Sequence, residues 1–282
     1  MNEAAKPRRI WLCADDYGIS ASVNLGIRDL IERGRLNATS VMMLGPAIGR
    51  AEINVLETSR TKSPRCAIGL HVTLSAPFRP LTMHFRPLEG DMFPAFPKLL
   101  RAGLMRRLDR EIIYAEVKAQ LAAFAQAFGR APDFVDGHQH VQLYPQVREA
   151  FVAAVREAAP KAWVRQGGRE LPLMQRLASP KALVLDVLSA QFCRRARQAG
   201  LAFNPAFAGA YDLTRDEADF GKLMGEFIAG LPEGGLVMCH PGFVDDTLRS
   251  LDPVTEVRAR EHTYLASEAF LRLLAANNVT LA

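Results

Sequence analysis

What most constrains this chain is an alternation that runs its whole length: short apolar runs of strand length, separated by stretches with helical spacing. Residues 10–14, 39–44, 67–74, 135–141, 162–165, 201–208, 235–240 and 279–281 read as strands. Residues 23–33, 47–56, 111–128, 146–158, 180–199, 216–230 and 253–276 carry helical patterns, several closed by glycine, as at Gly34 and Gly129. Strands that alternate with helices are joined by crossovers, and crossovers make neighbouring strands parallel. At 282 residues, the chain matches one large α/β domain. The expected fold class is therefore α/β: a TIM-like (β/α) barrel of seven or eight mostly parallel strands in a single domain. One stretch breaks the rhythm. Residues 76–97 hold Pro77, Pro80, Pro87, Pro94 and Pro97, and a loop this long in a compact domain is commonly a lid or binding loop near the active site.

Composition narrows the class. With 49% hydrophobic and 23% charged residues, the chain has an ordinary globular core. Cys13, Cys66, Cys193 and Cys239 are scattered without metal-binding or disulfide spacing, as expected of reduced thiols in a cytoplasmic protein. The basic N-terminus is followed by too short an apolar run for a signal peptide, and no run reaches membrane-spanning length. The net charge of +5 comes mostly from arginine. Its clusters, Arg101 to Arg110 and Arg194 to Arg197, lack interleaved aromatics or a nucleic-acid motif, so no nucleic-acid partner is expected. The basic, partly amphipathic segment 96–110 admits a weak peripheral contact with an anionic membrane, with a solvated helix face as the plainer alternative.

Ionisable residues gather at strand ends. Asp15 and Asp16 follow the first strand, His71 lies near the end of the third, and His240 ends the seventh. On the fourth, a strand across 135–141 would place Asp136, His138 and His140 on one face. Burying those groups is costly unless an ion or counter-charge meets them, and two imidazoles with a carboxylate suit a borderline divalent metal. Individually each has a plain alternative: a turn at Asp15 to Gly18, a core histidine at His71, a turn at His240-Pro241-Gly242. In a parallel barrel, however, the carboxyl ends of the strands converge on one face. His84 and His262 have no such placement and read as surface or structural residues.

Four motifs then carry a resemblance. Ala14-Asp15-Asp16-Tyr17-Gly18-Ile19-Ser20 with Val23-Asn24, Gly69-Leu70-His71-Val72-Thr73-Leu74, Asp136-Gly137-His138-Gln139-His140 and Cys239-His240-Pro241-Gly242 resemble, in order, the motifs of the YdjC/ChbG-like carbohydrate deacetylases. That family includes the hopanoid-associated HpnK proteins. The resemblance implies an irregular TIM-like barrel, often a homodimer, that uses a divalent metal to deacetylate an N-acetylated amino sugar, either a chitooligosaccharide or a lipid-linked N-acetylglucosaminyl compound. By position it implies Asp16, His71 and His138 as metal ligands, Asp15 as general base and His240 as general acid. Arg165 matches a recurrent arginine near the site, and Gln142 stands where many relatives have histidine, a departure expected to touch substrate detail.

Residue chemistry agrees. One carboxylate and two imidazoles leave a metal an open position for water, and mixed N/O ligands favour zinc, with magnesium possible. Asp15 can take a proton from attacking water, and His240 can protonate the leaving amine. Asp136, His140, Arg165 and Asn24 complete the candidate set as substrate-binding or ligand-orienting residues. Other readings are a metal-dependent hydrolase of another bond, such as a phosphoesterase, a sugar-binding barrel without catalysis, and a nucleic-acid binder suggested by charge alone.

Overall fold

In the computed structural model, which describes residues 6–62, 66–169, 180–213 and 219–281, every strand pairing is parallel. The central strand is β1 (Arg8–Tyr17). Beside it run β2 (Ala38–Val41), β3 (Ala67–Val72), β4 (Phe134–Gly137) and β5 (Trp163–Val164) in sequence order. On its other side lie β7 (Leu236–Cys239) and then β6 (Phe207–Ala208), and β8 (Val279–Leu281) pairs with its first residues. The gap between edge strands β5 and β6 is spanned by a short stretch of chain. Val164 N donates to Ala202 O at 2.9 Å, Val164 bridges Phe203, and Phe207 N donates to Gly168 O at 3.0 Å. The result is a half-barrel of parallel strands, consistent with the expected irregular TIM-like barrel, with its sixth strand reduced to two residues of the predicted 201–208.

Helices cover the outside: α1 (Ala21–Glu32), α2 (Arg50–Lys62), α3 (Phe96–Leu104), α4 (Arg110–Phe128), α5 (Val147–Ala158), α6 (Pro180–Gln198), α7 (Phe220–Ala229), α8 (Asp246–Leu251), α9 (Glu256–Ala266) and α10 (Glu268–Ala276). The Ser20 side chain caps α1 by accepting from Val23 N, and Val23, Ile27, Leu30 and Ile31 form its buried stripe. Asp109 caps α4, which ends at Gly129 in the left-handed region (φ 67). The helix expected over 253–276 is broken at Ser267 into α9 and α10. Residues 216–218 of the expected 216–230 helix lie outside the described residues. Among the described residues, no helix is long and apolar enough to cross a membrane.

Two departures shape the site. Strand β1 continues through Asp15 and Asp16 to Tyr17, with a register shift after Ala14 and Asp16 at φ 68. Strand β4 stops at Gly137; His138–Leu143 is a 3-10 segment in which Gln139 and His140 take φ 55 and 57. The predicted strand across 135–141, with three side chains on one face, is thus corrected: the chain turns at His138. Phe134, at the start of β4, stacks on Trp163 at 4.5 Å and lies across Gly69, where a Cβ would sit 2.5 Å from its ring.

Residues 76–97 are seated on the body. Phe85 and Phe93 meet edge to face at 4.7 Å, and Phe93 N donates to Phe78 O. The buried Glu116 carboxylate on α4 accepts from Leu81 N, Thr82 N and the Thr82 hydroxyl.

Candidate metal-binding active site

The convergence begins with β1. Adjacent carboxylates Asp15 and Asp16 are both buried, and each is handed to a different arginine. Arg165 grips Asp15 with a two-pronged contact, Nη1 to Oδ1 at 2.5 Å and Nη2 to Oδ2 at 2.7 Å. Arg258, from α9, donates to Asp16 Oδ2 at 2.7 Å and to Asp252 Oδ2 at 2.8 Å. Its grip leaves the other oxygen of Asp16 facing inward. Asp16 Oδ1 lies 3.3 Å from His71 Nε2 and 3.0 Å from His138 Nδ1. Asp16, His71 and His138 thus offer one donor atom each within a 4.8 Å cluster of buried residues.

Behind the cluster stands a second layer. His71 Nδ1 lies 2.6 Å from Asp136 Oδ1 and 3.0 Å from Ser40 Oγ, which fixes the ring with Nε2 toward Asp16. Asp136 Oδ2 sits 3.0 Å from the Arg165 guanidinium, so one arginine bridges Asp15 and Asp136. Phe78 meets the His138 ring edge-on at 6.1 Å, and Ser75 Oγ donates to Gln139 Oε1 at 2.8 Å across the turn.

Burial works against every charge here, and the neighbours decide the outcome. Burial would raise Asp15, but Arg165, then His71, hold its carboxyl well below the usual carboxylate range. Asp16 is likewise held low against burial, by Arg258 and then His138. For His71, burial opposes the charge, but Asp136 and Asp15 push the imidazole up to about 10. His140 goes the other way: burial first, then the Arg165 charge, push it down to about 3. Its ring stays neutral, packed edge-on against Phe207 at 5.4 Å.

A cavity of about 370 Å³ opens onto these groups. Asp15, Asp16, His71, His138, His140, Arg165 and His240 all line it, so strands far apart in sequence meet there. Asp136 lies beneath, reaching the cavity only through His71 and Arg165. Asn24 is outside the lining and acts from behind the turn that follows Asp15 and Asp16. It is buried, accepting from Gly18 N at 2.6 Å and donating to Ala47 O at 3.0 Å, which pins the turn after β1. Gln142 also points away: its amide donates to Arg165 O at 3.1 Å, so its effect on the site runs through the arginine and not through substrate contact. His262 pairs with Asp29 at 3.0 Å between α9 and α1, and His84 is exposed.

Sequence reasoning missed three contributors. Arg258 is one; no motif surrounds it, and only packing reveals a fully buried guanidinium. Glu261, also buried on α9, accepts from His240 N at 2.5 Å and from the Tyr211 hydroxyl, and so fixes the chain that carries His240. Tyr211 itself lines the cavity.

The sequence pattern of the YdjC-like protein family matches residues 9–276. The chain belongs to the YdjC-like family. Among solved structures, an Enterococcus faecalis protein provisionally named for cellobiose-phosphate cleavage superposes with a TM-score of 0.75 at 21% identity, covering 98% of this chain and 97% of that one. A lactam utilization protein of Thermus thermophilus superposes with a TM-score of 0.50 at 15% identity, covering 98% of each chain. At these identities, the two superpositions speak for a shared fold.

Proposed function

We propose that this chain is a metal-dependent hydrolase that removes the acetyl group from an N-acetylated amino sugar. The observation that carries the reading is the meeting of Asp16, His71 and His138 on one wall of a cavity also lined by Asp15 and His240. The donor set fits a divalent ion: one carboxylate oxygen and two imidazole nitrogens, buried, with Asp136 and Arg258 already orienting two of the three side chains. Mixed nitrogen and oxygen donors suit zinc better than magnesium. Held there, zinc would supply Lewis acidity toward the acetamide carbonyl and make a nearby water acidic enough for a weak base to deprotonate.

The chain's own residues account for the remaining chemistry. Arg165 keeps Asp15 ionised, and its carboxylate on the cavity wall is the group placed to accept a proton from water. His240, held through its backbone by Glu261, delivers a proton to the departing amine nitrogen, which leaves poorly without one. The neutral His140 ring offers a hydrogen-bonding edge to the substrate without adding charge. The motif resemblance extends the proposal to a homodimer acting on a chitooligosaccharide or lipid-linked N-acetylglucosaminyl compound, and the scattered, unpaired cysteines extend it to the cytoplasm.

Acetate release from a panel of such compounds, with a disaccharide phosphate included, tests the reading. Asp15→Asn should lower metal-dependent acetate release by roughly 10²–10⁴-fold while stoichiometric zinc binding persists. His138→Ala should lose the zinc itself. Phosphate release in place of acetate, or acetate release unaffected by Asp15→Asn, would overturn the proposal.

A further inference from the structure

The exposed apolar side chains are unevenly distributed. Of the eleven large hydrophobic residues exposed among the described residues, five fall between positions 81 and 105: Leu81, Met83, Met92, Leu104 and Met105. Met83, at 85%, is the most exposed of the eleven. Positive charge gathers in the same stretch. Residues 79–110 hold seven Lys or Arg against three Asp or Glu, a net +4 of the chain's +5.

All three acids are engaged locally. Asp91 pairs with Arg79 at 2.8 Å, Glu89 with Lys98 at 2.9 Å, and Asp109 caps α4. Arg101, Arg106 and Arg107 are exposed beside Leu104 and Met105, with no ion pair among the described residues. Unpaired arginines next to apolar side chains therefore face outward with no acid to neutralise them.

The exposure is supported from beneath. Glu116 holds the backbone of Leu81 and Thr82, while Phe85 and Phe93 pack inward, so Met83 projects from an anchored turn. Helix α3 buries Leu99 and Gly103 and packs Phe96 against Tyr144 at 5.9 Å, leaving Leu104 and Met105 outside. Both parts of the surface hang from the site-bearing turn: the loop through Ser75–Gln139 and Phe78–His138, α3 through Tyr144.

We infer that this surface, formed by residues 79–107, docks the protein on an anionic lipid membrane. Apolar side chains enter the boundary between headgroups and acyl chains, while arginines meet the acidic headgroups. Docking would turn the end of the barrel that carries His138 toward the lipid. The inference does not depend on the proposed reaction, because vesicle binding is measured without turnover.

Flotation of the full chain with phosphatidylcholine vesicles, with and without one-third phosphatidylglycerol, is the test. The protein should float with the anionic vesicles, not with the neutral ones, and high salt should release it. Arg106→Gln with Arg107→Gln should weaken partitioning roughly 25-fold, about fivefold per arginine. Met83→Ser with Leu104→Ser should weaken it at least about tenfold. Leu25→Ser with Leu271→Ser, exposed on α1 and α10, should change nothing. Absence from anionic vesicles, equal flotation with neutral ones, or indifference to the first two variants would overturn the inference. So would a concentration-dependent dimer dissolved by Met83→Ser with Leu104→Ser, because a second copy would then be what covers the surface.

Discussion

Arg165→Met removes a guanidinium that bridges two buried carboxylates. Three contacts disappear: Asp15 at 2.5 and 2.7 Å, and Asp136 at 3.0 Å. Methionine fills much of the volume, so the loss is mainly electrostatic. Breaking a buried pair from one side costs about 3–5 kcal/mol, since the partner is left charged and uncompensated. Here His71, whose imidazole is pushed up to about 10, still faces Asp15 and Asp136, which places the expectation near the lower end, about 3 kcal/mol.

The pH dependence has a definite sign. In the wild type, the Asp15 carboxyl is held below its unfolded value of about 3.9, so its stabilising contribution is present above that value and fades as pH falls through the folded one. Without Arg165, burial dominates and raises the folded value, so ionised Asp15 becomes a burden that grows as pH rises. The gap between variant and wild type should therefore be widest near neutrality and narrow toward pH ~4. Urea unfolding of chelator-treated protein across that range measures it, and Arg165→Lys, which keeps the charge without the fork, should recover part of the loss. A variant within about 0.5 kcal/mol of wild type at neutral pH, or a gap that widens in acid, would refute the reasoning.

Gly69→Ala places a methyl group 2.5 Å from the Phe134 ring and should cost about 1–3 kcal/mol in urea melts. Phe134→Leu in the same chain should recover part of that deficit, since the two changes share one contact. Glu116→Ala leaves Leu81 N and Thr82 N without their acceptor, for a loss of about 1–3 kcal/mol. Limited proteolysis should then cut within residues 79–92, where the wild type resists.

Much of this was legible in the primary structure because apolar runs and helical spacing report on the core. The parallel sheet and the meeting of Asp16, His71 and His138 follow from strands that alternate with helices and converge at their carboxyl ends, whereas the place of β7 beside β1 was not legible. The fourth strand misled because Val135 and Val141 continue an apolar alternation through positions that the backbone bends away. Gly137 stands at the bend, where a Cβ would meet Gln142 Oε1 at 2.7 Å, but the two left-handed residues that follow it are not glycines. Gln139 and His140 accept left-handed geometry while Ser75 holds the first and Phe207 packs the second, contacts from elsewhere in the chain. Asn24 lies one layer back from the site its motif pointed to: its amide accepts from Gly18 N and donates to Ala47 O, a role that only the folded turn reveals. Arg258 was illegible because an arginine in a helical stretch ordinarily faces water.

Helix α9 gathers three of these braces within five residues: Arg258 on Asp16, Glu261 on the His240 backbone, His262 on Asp29 of α1. A ribosome has therefore finished all five candidate ligands and proton carriers, the last at His240, before any of these three braces exists. Until α9 reaches the barrel, the buried Asp16 carboxylate lacks its cation and the proton donor's strand end lacks its anchor. Competence is deferred to the closing stage of synthesis, and a chain cut just before Glu256 would carry every one of those five residues while Asp16 and the His240 backbone lacked their braces.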